Sequence, residues 1–206
     1  MEEAQKRKCY PLYLTAITMG MRVGEILALK WGDVDFESGT MRVDETLQRG
    51  GPNPVYGPVK TEGGVRVVKI PEYLVQVIRE HQKEQKKVRL QLGSEWHDLG
   101  LVFTTWKGTA ISPRNLHRQF KAMLKAAGLP ETFRLHDLRH TSATLLIMSG
   151  VPVKTISARL GHSSTGITQD LYGHVLQAME DQAASAMDRL FNPSQRDKKT
   201  KKEKKA

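Results

Sequence analysis

The sequence has one cysteine, Cys9, among 206 residues. That excludes an intramolecular disulfide framework and a cysteine-rich zinc site. It has no apolar run approaching the length needed to span a membrane. The opening Met1-Glu2-Glu3-Ala4-Gln5-Lys6-Arg7 lacks the apolar core of a secretory signal peptide. No internal repeat is evident. These absences predict a chain that works in the cytoplasm.

What is present fits an ordinary globular domain. Hydrophobic residues make up 39% and charged residues 26%, enough for a core in a chain of this length. A formal net charge of +10 points to a polyanionic partner, but half of it sits at one end. Residues 196–206 hold seven basic and two acidic side chains, a local balance of +5. Residues 194–206 are therefore expected to form a disordered basic tail. The same charge suits a solubility tail or a sliding contact to DNA phosphates.

Along the chain, apolar periodicity from Tyr10 to Trp31 predicts two helical segments broken near Gly20 and Gly24, with Arg22 between them and Glu25 placed to hold it. Asp33–Phe36 and Thr40–Leu47 read as a β-hairpin about Glu37-Ser38-Gly39, and Val65–Ile70 as a third strand stopped by Pro71. Arg49 to Pro58, rich in Gly and Pro, reads as loop, and Lys60 is expected in a turn before the third strand. Glu72–Leu92 predicts a long helix with a charged outer face, and Leu101–Thr105 an extended segment. Ser112-Pro113 predicts a helix start with the hydroxyl as cap, ending before Gly128 and carrying a basic face of Arg114, His117, Arg118 and Lys121. That face is either solvated or laid along a phosphate backbone. Short helices follow over Val153–Leu160, closed by Gly161, and over Thr165–Leu171; an amphipathic helix over Gln177–Phe191 precedes the tail.

Between these lies Leu135-His-Asp-Leu-Arg-His-Thr141. On a helix, His136 and Arg139 stand at i and i+3 and share a face. An imidazole exchanges one hydrogen bond with a phosphate oxygen, while a guanidinium grips it with paired donors. Leu138, Leu145, Leu146 and Met148 are expected to anchor this helix to the core.

Taken in order, Arg22, Lys60, His136, Arg139, His162 and Tyr172 lie in segments that resemble the catalytic domain of tyrosine recombinases, the phage integrase family. The matching runs are Thr18-Met-Gly-Met-Arg-Val-Gly-Glu-Ile-Leu-Ala-Leu-Lys-Trp31, Val59-Lys-Thr61, Leu135–Thr141, and Leu160-Gly-His-Ser-Ser164 through Ile167-Thr-Gln-Asp-Leu-Tyr-Gly-His174. They are most similar to integrases of temperate phages and of conjugative transposons of Gram-positive bacteria. The resemblance implies an α+β, mainly helical fold with a small three-stranded antiparallel sheet. It makes residues 1–193 a catalytic domain, with the family's core-binding and arm-binding domains absent from this chain.

The resemblance also implies chemistry. Tyr172 would attack a DNA phosphodiester, forming a 3′-phosphotyrosyl link and releasing a 5′-hydroxyl, in the integration or excision of a mobile element. Arg22 and Arg139 would bind the non-bridging oxygens, His162 would bind the scissile phosphate, Lys60 would protonate the leaving oxygen, and His136 would assist proton removal from the tyrosine. His140 and His174 would be supporting neighbours. No metal or other cofactor is implied. The partners implied are double-stranded DNA attachment sites, three further copies in a synaptic tetramer, and accessory directionality or host bending proteins, with no membrane.

Three other readings stay open on the residues alone, one of them a fragment that only nicks and reseals DNA. A zinc hydrolase would use His136 and His140 at i, i+4, although Arg139 would then set a cation beside the metal. A module that binds DNA without chemistry would explain the basic charge and the helices, but does not call for a tyrosine ten residues after His162.

Overall fold

A computed structural model of the chain describes residues 1–6, 9–49, 53–59 and 64–162 and, toward the C-terminus, 173, 180–181, 183–188 and 190–191. The chain opens with helices α1 (Glu2–Lys6), α2 (Tyr10–Met19) and α3 (Val23–Ala28), and α4 (Glu72–Leu92) follows the strands. Strands β1 (Val34–Asp35), β2 (Thr40–Val43), β3 (Glu45–Arg49), β4 (Val55–Pro58) and β5 (Arg66–Lys69) lie between α3 and α4. Helices α5 (Pro113–Ala126), α6 (Asp137–Met148) and α7 (Val153–Leu160) follow. None of the helices among the described residues is long and apolar enough to cross a membrane.

The antiparallel sheet has the order β1-β2-β5, with Met41 opposite both Val34 and Val68. Alternation drives it: Met41, Val43 and Val68 turn inward, and Arg66 shares their face. The predicted loop over residues 49–58 is half wrong. Val55–Pro58 pairs with β3 as a two-stranded ladder, Glu45 opposite Pro58 and Leu47 opposite Tyr56. Pro58 is tolerated because the ladder has only two strands, each an edge. The run expected as one strand from Thr40 to Leu47 also divides at Asp44, so β2 and β3 join different sheets.

Gly20 ends α2 in the left-handed conformation (φ 63°), as expected for a helix-terminating glycine. Gly24 breaks nothing: it lies in the first turn of α3, where an added Cβ would meet the Thr46 hydroxyl and, at 3.1 Å, the Leu47 carbonyl of β3. Helix α4 matches its sequence range, burying Leu74 and Ile78. Trp31 and Phe103 flank His81 of this helix with their rings tilted, and His81 Nε2 donates to the Val102 carbonyl at 2.8 Å. Residues 101–105 hold isolated bridges, Lys30 with Leu101 and Thr104 with Ala110, in place of a strand. Ser112 precedes α5 at the cap position, but its side chain makes no capping hydrogen bond.

Helix α6 differs from its sequence reading in what anchors it. Leu145 and Met148 are 52% and 69% exposed, while Arg139, Ser142, Ala143 and Ile147 face inward. The helix is held by small residues that admit α2 and by one buried guanidinium, with Leu138 and Leu146 packed at the margins. Ala143 and Ile147 meet Ile156 and Leu160 of α7 in a second, smaller core. The helix expected over 165–171 lies outside the described residues. Of the one expected over 177–191, residues 180–181, 183–188 and 190–191 are helical.

Candidate active site

The end of α7 is where distant segments meet. Its last carbonyls face away from their own helix and need donors from elsewhere. Three consecutive carbonyls find them in three arginines: Arg66 Nε donates to Arg159 at 2.8 Å, Arg139 Nη2 to Leu160 at 2.7 Å, and Arg22 Nη2 to Gly161 at 3.2 Å. A helix C-terminus carries partial negative charge, so cations are favoured there. Gly161, left-handed at φ 68°, then turns the chain into His162, whose N–H donates back to the Ser157 carbonyl at 3.1 Å.

Arg22 stands at the cap position of α3, its backbone extended. Glu25 holds it as the sequence predicts: its carboxylate accepts the Arg22 backbone N–H at 2.9 Å and Nη1 at 2.8 Å. Glu25 is 2% exposed. Burial pushes its carboxyl upward, but the hydrogen bond and charge of Arg66, joined by Arg22, outweigh that and hold it below the usual carboxylate range. The sequence reading missed Arg66. An arginine in phase with Val68 on the inward face of a strand was the available signal, because a buried guanidinium requires partners.

Arg139 is 4% exposed and also donates to the Gly20 carbonyl, Nη1 at 2.7 Å. His136 occupies the cap position of α6, and its ring meets His140 edge to face at 5.0 Å between centroids. Burial, with His140 and Arg139 nearby, holds the His136 imidazole below its ordinary value. His162 is displaced further. Half-buried beside Arg139, Arg22, Arg66 and His140, it is pushed down to about 4, first by burial and then by the neighbouring guanidiniums. Near neutral pH it is an uncharged imidazole among guanidiniums.

Of the six residues singled out by sequence, Arg22, Arg139 and His162 converge on the end of α7, and His136 adjoins through His140 and Arg139. Lys60 and Tyr172 lie outside the described residues, as do His174 and the tail. Among the described residues, no three His, Cys, Asp or Glu side chains form a group suited to a metal ion. On the basic face, Arg114, His117 and Arg118 of α5 are exposed, but Lys121 donates to the carbonyls of Glu131 and, at 2.7 Å, Phe133 in the following loop.

Residues 2–179 match the phage integrase family. The chain belongs to it. A tyrosine recombinase XerC-like protein of Caldanaerobacter subterraneus subsp. tengcongensis is 38% identical over 194 residues, covering 87% of this chain and 49% of that protein. The ICEBs1 integrase of Bacillus subtilis is 31% identical over 179 residues, covering 87% and 48%. The chain therefore spans about half the length of these integrase relatives. Among solved structures, the Tn1549 transposon integrase in complex with transposon right end DNA superposes with a TM-score of 0.74 at 25% identity, covering 89% of this chain and 59% of that one. XerA recombinase, at a TM-score of 0.66 and 24% identity, shares the fold over 88% of this chain and 60% of its own. The mainly helical α+β integrase fold with a three-stranded antiparallel sheet is thus as the sequence resemblance implies.

Proposed function

We propose that this integrase-family chain cuts and rejoins DNA through a tyrosine nucleophile, in the integration or excision of a mobile element. The observation that carries the reading is the convergence of Arg22 and Arg139 on adjacent carbonyls with neutral His162 directly after them. A phosphodiester repels a nucleophile, and its transition state gathers further negative charge. Guanidiniums fixed beforehand stabilise that charge without reorganising during the reaction.

In this mechanism the Tyr172 oxygen attacks phosphorus, the bond to the 5′-oxygen breaks, and a 3′-phosphotyrosyl ester forms. A phenol with an ordinary pKa of about 10 needs help to lose its proton. His136, kept neutral by burial, is suited to take it, and Lys60 delivers a proton to the departing oxygen. His162, also neutral, donates a hydrogen bond to the phosphate and gains affinity for a proton as the anion arrives. The ester conserves the energy of the broken bond, so rejoining needs no nucleotide cofactor, and no step calls for a metal.

Residues 1–193 serve as the catalytic domain in this reading. The partners are double-stranded attachment sites, three further copies in a synaptic tetramer, and accessory directionality or host bending proteins, in the bacterial cytoplasm. The test is covalent capture: the protein is mixed with a pool of nicked DNA duplexes in EDTA, denatured, and examined for DNA-bearing protein. A protein–DNA adduct lost in Tyr172→Phe supports the reading, and sequencing the captured DNA reports the site. DNA binding without adduct favours the binding module, and adduct that requires zinc favours the hydrolase.

A further inference from the structure

We propose that Arg66 is a positioning residue for strand cleavage, fixing Arg22 relative to His162 by binding the carboxylate behind the first and the helix end before the second. The inference rests on the reading of this pocket as the phosphate site. Arg66 is 8% exposed, the first residue of β5, six positions after Lys60 in sequence. Its Nη2 donates to Glu25 Oε2 at 2.8 Å, Nη1 reaches Glu25 Oε1 at 3.4 Å and the Gly64 carbonyl at 3.0 Å, and Nε donates to the Arg159 carbonyl at 2.8 Å. Buried in this way, it acts through other residues and does not touch DNA.

Each Glu25 oxygen serves both arginines. Oε1 accepts Arg22 Nη1 and Arg66 Nη1; Oε2 accepts the Arg22 backbone N–H and Arg66 Nη2. Arg66 thus helps to fix the plane of the carboxylate that holds the Arg22 guanidinium. Arg22 itself has a side chain 41% exposed, so its aim depends on such partners. The Nε bond meanwhile ties β5 to the α7 turn that delivers His162. A planar fork spans both partners at once; a lysine ammonium satisfies one.

The experiment measures single-turnover adduct formation by the full chain on the duplex recovered by covalent capture, with urea denaturation of each variant in parallel. Arg66→Ala is expected to slow the step at saturating DNA by about 100-fold, the scale of a small misplacement in an active site. The half-saturating DNA concentration should move by less than about twofold, since the interaction matters only in the transition state. Arg66→Lys should recover part of the rate. In an Arg22→Lys background, Arg66→Ala should slow the reaction by less than about twofold, because residues acting through one another are not additive. Equal slowing in both backgrounds, or slowing that only tracks the unfolded fraction, overturns the proposal.

Absence of Tyr172-dependent adduct in the parent overturns the cleavage reading instead. Side-chain nitrogen NMR of the Arg22 guanidinium then decides the place of Arg66. Restricted rotation in the parent that is lost in folded Arg66→Ala supports it; an unchanged Arg22 signal overturns it.

Discussion

Arg139 Nη1 lies 2.7 Å from the Gly20 carbonyl oxygen, a hydrogen bond across 119 positions of sequence. Its Nη2 holds Leu160 at the same distance, so one buried side chain joins the end of α2 to the end of α7. A lysine at this position cannot span both carbonyls. Arg139→Lys should lose about 1–3 kcal/mol of stability for the carbonyl left without a donor. Its adduct formation should fall by about 100-fold beyond any loss of folded protein. Urea denaturation and covalent capture on the same preparation separate the two effects.

Gly20→Ala tests the same junction from the other side. Left-handed backbone with a Cβ is unfavourable by about 1–2 kcal/mol. The added carbon would also crowd Leu160 Cδ2 and approach Ser142 Oγ at 3.1 Å. A lowered thermal midpoint with slower cleavage is expected. An unchanged midpoint would mean that the junction adjusts freely.

Acid should weaken the fold through its buried imidazoles. The His162 value of about 4 lies below that of an unfolded histidine, about 6.5, so in that interval the unfolded chain binds more protons. The stability this group contributes is complete above pH about 6.5 and is lost as pH falls toward about 4. His81 and His136, both lowered first by burial, act in the same direction. Urea midpoints should therefore decline from pH 7 to pH 5, less steeply in His162→Gln. An NMR titration of His162 centred near 6.5 would contradict the account.

The basic face of α5 separates into two roles. Arg118 is exposed and, among the described residues, donates only to Asn115 at 3.2 Å, so Arg118→Glu should leave stability within about 0.5 kcal/mol of the parent. On random-sequence duplex its binding should weaken, and the salt slope should decrease by about 1 for each phosphate no longer neutralised. Lys121→Ala, which leaves two loop carbonyls without their donor, should instead lower the thermal midpoint. Fluorescence anisotropy across salt concentrations, paired with thermal melts, distinguishes the two variants.

Local signals served the sequence reading best. Glu72–Leu92 and Val153–Leu160 were legible from periodicity and terminating glycines, and the Arg22–Glu25 pair from i, i+3 spacing. What failed depended on partners distant in the chain. Val55–Pro58 becomes a strand only because β3 offers it an edge, and Leu145 stays exposed because the adjoining core is filled by Ala143, Ile147, Ile156 and Leu160. Arg66 was overlooked because its partners are Glu25, Gly64 and Arg159, and two of those residues are far along the chain. The motif residues point to the proposed phosphate pocket, but the arginine behind them is visible only once β5 is placed against α7.

The three carbonyls at the end of α7 are reached by arginines 139, 93 and 21 positions away. Two of these pairings span 139 and 93 positions, and contacts that close such long loops are costly in entropy and slow to form. A nascent or partly unfolded chain thus carries the individual cations without the pocket. For a protein proposed to break chromosomal strands, this is an interlock: cutting is available only to a molecule that has finished folding.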